Sequence, residues 1–229
     1  MNMQIGLIGG IGPAATDYYY RKLIDKFNLN FKELSLTIVH ADTPTLLTNL
    51  EQGNYDDQID IYNKLTNRLA DAGAGCVAIT SIAGHFCINQ FKPISKLPII
   101  DLLTCTENKI RAQKYEKIGL IGTRTVMETK FYSGIQSAEI HIPNAKQLDA
   151  VHNCYVTMAK KGFITEEQQK TFDEACSDLL DQHNVDAILL GGTDLALAYS
   201  DENSNFPIID CAEIHINAIF DFYINNSFS

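Results

Sequence analysis

Three short segments of the 229-residue chain hold residue types that can bind an anion or move a proton. Gly9-Gly10-Ile11-Gly12 follows an apolar run and leads into Pro13, a residue suited to the first position of a helix. Backbone N–H groups at such a helix start can cradle a carboxylate or a phosphate. The same residues read equally well as a plain tight turn, since they do not match GxGxxG and no Walker lysine follows. Thr80-Ser81 ends a second apolar run in hydroxyls. Gly191-Gly192-Thr193-Asp194 ends a third with a hydroxyl and a carboxylate. In open α/β sheets, strand ends of this kind are where ligands bind.

The elements that must position these groups are legible in the pattern of apolar runs. Strands are expected at Gln4–Ile8, Leu34–His40, Cys76–Thr80, Pro98–Asp101, Lys117–Ile121, Glu139–Ile142, Ala187–Leu190 and Pro207–Asp210. Helical periodicity fills most of the intervals, notably Asp57–Ala72, Gln147–Lys161 and Thr165–Gln182. Strands alternating with helices point to parallel sheets covered on both faces.

An internal repeat divides this pattern in two. Ile5-Gly6-Leu7-Ile8-Gly9 returns unchanged as Ile118-Gly119-Leu120-Ile121-Gly122, and Cys76–Ser81 is echoed by Ala187–Gly192 at a closely similar spacing. Two pseudosymmetric α/β halves are therefore expected, residues 1–100 with 211–229 and residues 101–210, with the site in the cleft between them.

Composition excludes several classes. The chain is 45% hydrophobic and 20% charged, an ordinary globular balance. Its formal net charge of −10 gives no cationic footprint for nucleic acid. No apolar run approaches the ~20 residues of a membrane span, and the N-terminus lacks the basic start of a signal peptide. The six cysteines form no CxxC pair, so no zinc site is expected. Reduced, packed thiols in a cytoplasmic protein are the plain reading.

Four segments then carry a family resemblance. They are Ile5–Gly10 with Thr16 and Tyr18-Tyr19, Leu120–Arg124 followed by Met127-Glu128 and Phe131-Tyr132, Gly191–Asp194, and Pro207–Asp210 with Ile214-His215. In this order and spacing they resemble the aspartate/glutamate racemase family of cofactor-independent amino-acid racemases, over essentially the whole chain. The resemblance implies an isomerase fold that uses neither pyridoxal phosphate nor metal and takes a small amino acid or carboxylate. It also implies a homodimer. Ligand contacts fall on Gly10, Gly12, Thr16, Thr80, Gly122, Thr123, Thr193, Lys161 and His215.

The resemblance also implies a two-base mechanism, in which a thiolate removes the α-proton and a thiol on the other face returns one. The α-proton of an amino acid is a very weak acid, so its removal needs both a positioned base and charge stabilisation. This chain departs from the family at the two positions concerned. Ser81 stands where the first cysteine is expected and Gly192 where the second is, the glycine leaving an open space. His85 is the aligned neighbour able to take a proton from Ser81, and Asp194 is the nearest carboxylate to the missing second base. Cys87 and Cys211 are reserve bases, each more often read as plain packing. Arg124 and the lysines 160 and 161 are the cationic candidates, the lysines being also consistent with a solvated helix end.

Two readings of function follow. One is an enzyme with Ser81, His85 and Asp194 as acting groups in altered isomerase or related carbanion chemistry such as decarboxylation. The other is a carboxylate- or amino-acid-binding protein without catalysis.

Overall fold

The computed structural model describes residues 3–200 and 203–226. Contacts divide the chain into two compact units, Met1–Leu102 with His215–Ser229, and Leu103–Ile214. Residues 1–2, 201–202 and 227–229 of those ranges lie outside the described residues.

In the first unit the strands are β1 (Gln4–Gly9), β2 (Leu36–His40), β3 (Ala74–Ile79) and β4 (Ile99–Ile100). They form one parallel sheet in the order β2-β1-β3-β4, with Ile5 opposite Cys76 and Leu7 opposite Ala78. The two central strands bury Ile5, Leu7, Ile8, Cys76, Val77, Ala78 and Ile79 completely, as strands covered on both faces must. Edge strand β2 is only partly covered. Helices α1 (Pro13–Leu29), α2 (Thr43–Gln52), α3 (Tyr55–Asp71) and α4 (Ile88–Phe91) occupy the connections. Of these, α3 buries Ile59, Tyr62, Leu65, Thr66 and Leu69, the three-and-four spacing of one helix face.

The second unit repeats the plan. Helix α5 (Leu102–Gln113) leads into β5 (Lys117–Gly122), and α6 (Arg124–Glu128) follows. After β6 (Glu139–His141) come α7 (Ala145–Lys161), α8 (Glu166–His183), β7 (Ala187–Gly191) and β8 (Ile208–Asp210), and α9 (Cys211–Asn226) begins here but belongs to the first unit from His215 on. The sheet is again parallel, in the order β6-β5-β7-β8, so the repeated segment holds the same place in each sheet. The repeated glycines serve close packing. A Cβ on Gly119 would stand 2.6 Å from Ile188 Cδ1, and one on Gly122 would stand 2.6 Å from the Gly191 carbonyl oxygen. Helix α8 starts on a reciprocal cap, with the Thr165 side chain accepting from the Gln168 amide and the Gln168 side chain accepting from the Thr165 amide.

The expected parallel α/β architecture is what the structure has, with all eight strands at the apolar runs and their ends shifted by a residue or two. One segment differs from anything the pattern signals. Lys130, Phe131, Tyr132 and Ser133 take φ of 49°, 60°, 53° and 54°, a left-handed turn without a glycine. Phe131 is fully buried in that turn. Glu107 braces the chain just beyond, its Oε2 accepting from the Gln136 amide at 3.0 Å and the Ser137 hydroxyl at 3.1 Å. Among the described residues, no helix is long and apolar enough to cross a membrane.

Candidate functional site

In the first unit, the turn after β1 depends on Gly10, whose φ of +94° favours glycine. A Cβ there would run into the His40 ring and stand 2.5 Å from the Ala41 carbonyl oxygen. Thr16, one turn into α1, closes the loop. Its hydroxyl accepts from the Gly10 amide at 2.9 Å and lies 3.2 Å from the Thr80 hydroxyl at the end of β3. Gly10, Thr16 and Thr80 are thus brought together, but the Gly10 amide already has a partner within the loop. Gly12 caps α1 with no side-chain hydrogen bond, so the helix start there is built from backbone alone.

Beyond Thr80 lies a buried polar cluster. His85 Nδ1 is 2.7 Å from the Ser81 carbonyl oxygen, and since a carbonyl only accepts, Nδ1 carries the proton. The ring therefore meets Ser81 at its backbone, not at the expected hydroxyl. Nε2 is left with a lone pair, buried and without a hydrogen-bond partner among the described residues. Burial holds the His85 pKa below the usual imidazole range, opposed by the charge of Asp101. Asp101 in turn pairs with Lys92 Nζ at 3.0 Å.

His215 belongs to the same cluster, its ring centroid 6.2 Å from that of His85. Nε2 donates to the Ile100 carbonyl at 2.7 Å, which leaves Nδ1 to accept from the Tyr19 hydroxyl at 2.9 Å. With both nitrogens engaged and the ring fully buried, its pKa is pulled down to about 3, chiefly by desolvation. His215 is a neutral structural link from α9 to β4 and α1.

In the second unit, β7 ends at Gly191, and Gly192, Thr193 and Asp194 follow into a short 3-10 turn. Gly192 has φ −162°, extended backbone open to any residue, so the glycine there answers a demand for space. The expected open space at this position is filled. A Cβ on Gly192 would overlap Tyr155 Cε2 and stand 2.7 Å from both Cζ and Oη of that side chain. Tyr155 reaches across from α7 and donates from Oη to Asp194 Oδ2 at 2.9 Å. Burial, reinforced by the Asp194 charge, drives the phenol pKa well above its ordinary value.

Neighbouring β5 ends at Gly122, opposite Gly191, and Thr123 caps α6 by accepting from the Val126 amide at 3.4 Å. The Arg124 amide donates to His152 Nδ1 at 3.1 Å, which in the neutral ring puts the His152 proton on Nε2. Partial burial, with the Arg124 charge adding to it, lowers the His152 pKa. His152 and Tyr155 are three residues apart on α7 and serve the ends of two adjacent strands. Neither was singled out from sequence, although their spacing on an expected helix was the available signal.

The other expected bases and cations are committed elsewhere. Burial pushes the Cys76 thiol up to about 11 and those of Cys87 and Cys176 to about 12. Cys211 is raised well above the ordinary thiol value, and its Sγ donates to the Leu190 carbonyl. Burial thus moves Cys87 and Cys211 away from the thiolate form that a base would need. The Arg124 guanidinium pairs with Glu128 and Asp149. Lys161, exposed on the last turn of α7, holds its Nζ 5.9 Å over the Phe163 ring. Among the described residues, no group of three His, Cys, Asp or Glu could hold a metal ion.

Two parallel α/β units of matching strand order, each with polar groups at its strand ends, define a racemase-type fold. The profile of the Asp/Glu/Hydantoin racemases matches residues 8–219, and the chain belongs to that family. A Yersinia pestis protein provisionally described as an Asp/Glu racemase is 23% identical over 97% of this chain and 99% of its own, with a TM-score of 0.83. An aspartate racemase homologue from Pyrococcus horikoshii OT3 is 22% identical over 98% and 100%, with a TM-score of 0.82. The glutamate racemase of Francisella tularensis, solved with D-glutamate, is 15% identical over 98% and 82%, with a TM-score of 0.68. At these identities the likeness is one of fold.

Proposed function

We propose that this member of the racemase family binds a small amino acid or carboxylate and does not interconvert enantiomers by a pair of thiols. The observation that carries the reading is the Tyr155 ring over Gly192, which leaves no volume there for a side-chain base. Ser81 at the other aligned position supports it, because a hydroxyl supplies almost no conjugate base at neutral pH without a base bonded to it. The resemblance assigns ligand contacts to Gly10, Gly12, Thr16, Thr80 and His215 in the first unit and to Gly122, Thr123, Lys161 and Thr193 in the second. The family resemblance further supports a homodimer and a cytoplasmic location.

Calorimetric titration with the enantiomers of aspartate and glutamate, and with succinate and glutarate, tests the binding claim. At least one should bind, more weakly in Ser81→Ala and Thr193→Val. Failure of all six to bind would refute it.

A second reading, one-base carbanion chemistry of which decarboxylation is an example, rests on His85. Its tautomer is fixed by the Ser81 carbonyl, and its Nε2 lone pair is held in a neutral, buried ring. In that reading Nε2 takes the α-proton and returns it to the same side; a decarboxylation would instead release carbon dioxide and need the ring protonated at Nε2 beforehand, to give that proton to the carbanion. Deuterium exchange at the α-carbon that disappears in His85→Gln would establish the reading, and exchange that survives the substitution would exclude His85 as the base.

A further inference from the structure

Four strands form the margins of the two sheets, β2 and β4 in the first unit and β6 and β8 in the second. A bare margin invites another strand, and proteins commonly blunt it by shortness, charge, proline or a bulge. β4 has two residues, and β6 and β8 have three each. β2 has five, Leu36-Thr37-Ile38-Val39-His40, with no Lys, Asp, Glu or Pro and an unbroken register against β1. The Ile5 amide donates to the Ser35 carbonyl at 2.9 Å and the Ala41 amide to the Gly9 carbonyl at 2.8 Å, so the odd-numbered residues of β2 face β1. Leu36, Ile38 and His40 therefore turn their amides and carbonyls outward. Leu36 and Ile38 also line an open groove of about 480 Å³ with Leu34 and with Tyr20 and Ile24 of α1. Ile38 is 40% exposed and Tyr20 45%.

We propose that this margin is an interface between two copies of the chain, the two β2 strands pairing antiparallel about a two-fold axis at Ile38. This rests on the homodimer proposed above and says which surface forms it. With Ile38 opposite its own copy, Leu36 stands opposite His40, and every outward donor and acceptor on both strands has a partner. Any extended chain could meet those backbone groups, but the flanks favour a second copy. Antiparallel pairing brings the end that precedes β2 in one copy to the end that follows it in the other. Phe31, 96% exposed, precedes the strand, and Leu47, 43% exposed, follows it on α2. Lys32 precedes it and Asp42 follows it. Apolar side chains thus meet apolar ones, and a cation meets an anion, at both ends of the pairing. At the axis Tyr20 and Ile38 of both copies close the groove, an apolar centre inside a polar rim.

The test combines sedimentation over a range of concentrations with residue-resolved hydrogen exchange on the full chain. Wild type should sediment as two copies of the 25.5 kDa chain. Its Leu36, Ile38 and His40 amides should be protected as well as that of Ala41, which is bonded within the unit. Ile38→Lys places a charge at the axis, and Tyr20→Glu does so from α1 without touching the strand. Each should weaken association about tenfold or more. Where a variant is monomeric, the three outward amides should lose protection while Ala41 keeps it. Ile94→Lys makes the same kind of change at a side chain 57% exposed, ahead of β4 at the opposite margin of the sheet, and should associate as wild type does. If one of the two interface variants fails to fold, the other decides. Association unaffected by either, or outward amides that exchange freely in a dimeric wild type, would overturn this interface and leave the homodimer standing. A monomeric wild type would overturn both, and protection of the three amides on adding an extended peptide would then give the margin to a different partner.

Discussion

A histidine buried neutral must take up a proton when the chain unfolds below its ordinary pKa, and two residues of the first unit meet that condition. His215 is held at about 3 and His85 is also lowered, both chiefly by desolvation. Unfolded, each titrates near 6.5. Above that value the two states bind the same number of protons at these rings. Below it the unfolded state binds more, so stability falls as the pH drops below about 6.5, for His215 down to about 3 and for His85 down to its own lowered pKa, by about 1.4 kcal/mol per pH unit for each ring at most. Urea midpoints taken at pH 7.5 and 5.5 should show the loss, and His215→Gln should flatten the slope. An unchanged slope in that variant would count against a neutral buried His215.

The same scale shows where the sequence stopped being readable. Ser81, His85 and Asp194 were visible as residue types, but whether His85 met a hydroxyl or a carbonyl depends on a ring orientation that no spacing encodes. Gly192 was visible too, yet its volume belongs to Tyr155 on a helix remote in sequence. A glycine met in a sequence looks like a vacancy, whereas in a packed chain it is often the complement of a bulky neighbour. Gly192→Ala should therefore destabilise by about 1–3 kcal/mol through overpacking against the ring. Combined with Tyr155→Ala, the same change should lose most of that penalty, and thermal melts of the four proteins measure the coupling.

At the scale of elements, the strand, turn and helix that open the first unit are tied by one hydroxyl. Thr16→Val removes it and leaves the Gly10 amide without its acceptor, so a loss of about 1–3 kcal/mol is expected in chemical denaturation, with Thr16→Ser retaining most of the stability. Glycines that look alike in sequence should also separate. In Gly122→Ala the new carbon meets the Gly191 carbonyl at 2.6 Å, a backbone neighbour that cannot rotate away. In Gly162→Ala nothing lies within 4 Å, and the penalty is only that of a left-handed cap. Gly122→Ala should melt lower than Gly162→Ala, and the reverse order would contradict this packing of β5 against β7. These elements were legible because buried parallel strands leave near-continuous apolar runs between glycines and prolines. The left-handed turn at Lys130–Ser133 was not, because its residues carry no local preference for positive φ and are held there by tertiary contacts such as the buried Phe131.

At the scale of the molecule, a repeated Ile-Gly-Leu-Ile-Gly segment corresponds to two sheets with the same strand order, each presenting polar groups where β-strands give way to helix or turn. Family membership follows from the match over residues 8–219, while the proposal that this chain lacks a two-thiol pair rests on Ser81 and on Gly192 under the Tyr155 ring. One measurement tests that conjunction directly. Wild-type protein is incubated in deuterated water with each enantiomer of aspartate and of glutamate, and the α-proton signal and the enantiomer ratio are followed together. The expected result is that no opposite enantiomer forms from any of the four, whether or not a slow single-sided exchange is seen. Formation of both enantiomers from either one, at a rate proportional to enzyme concentration, would contradict the absence of a two-base site.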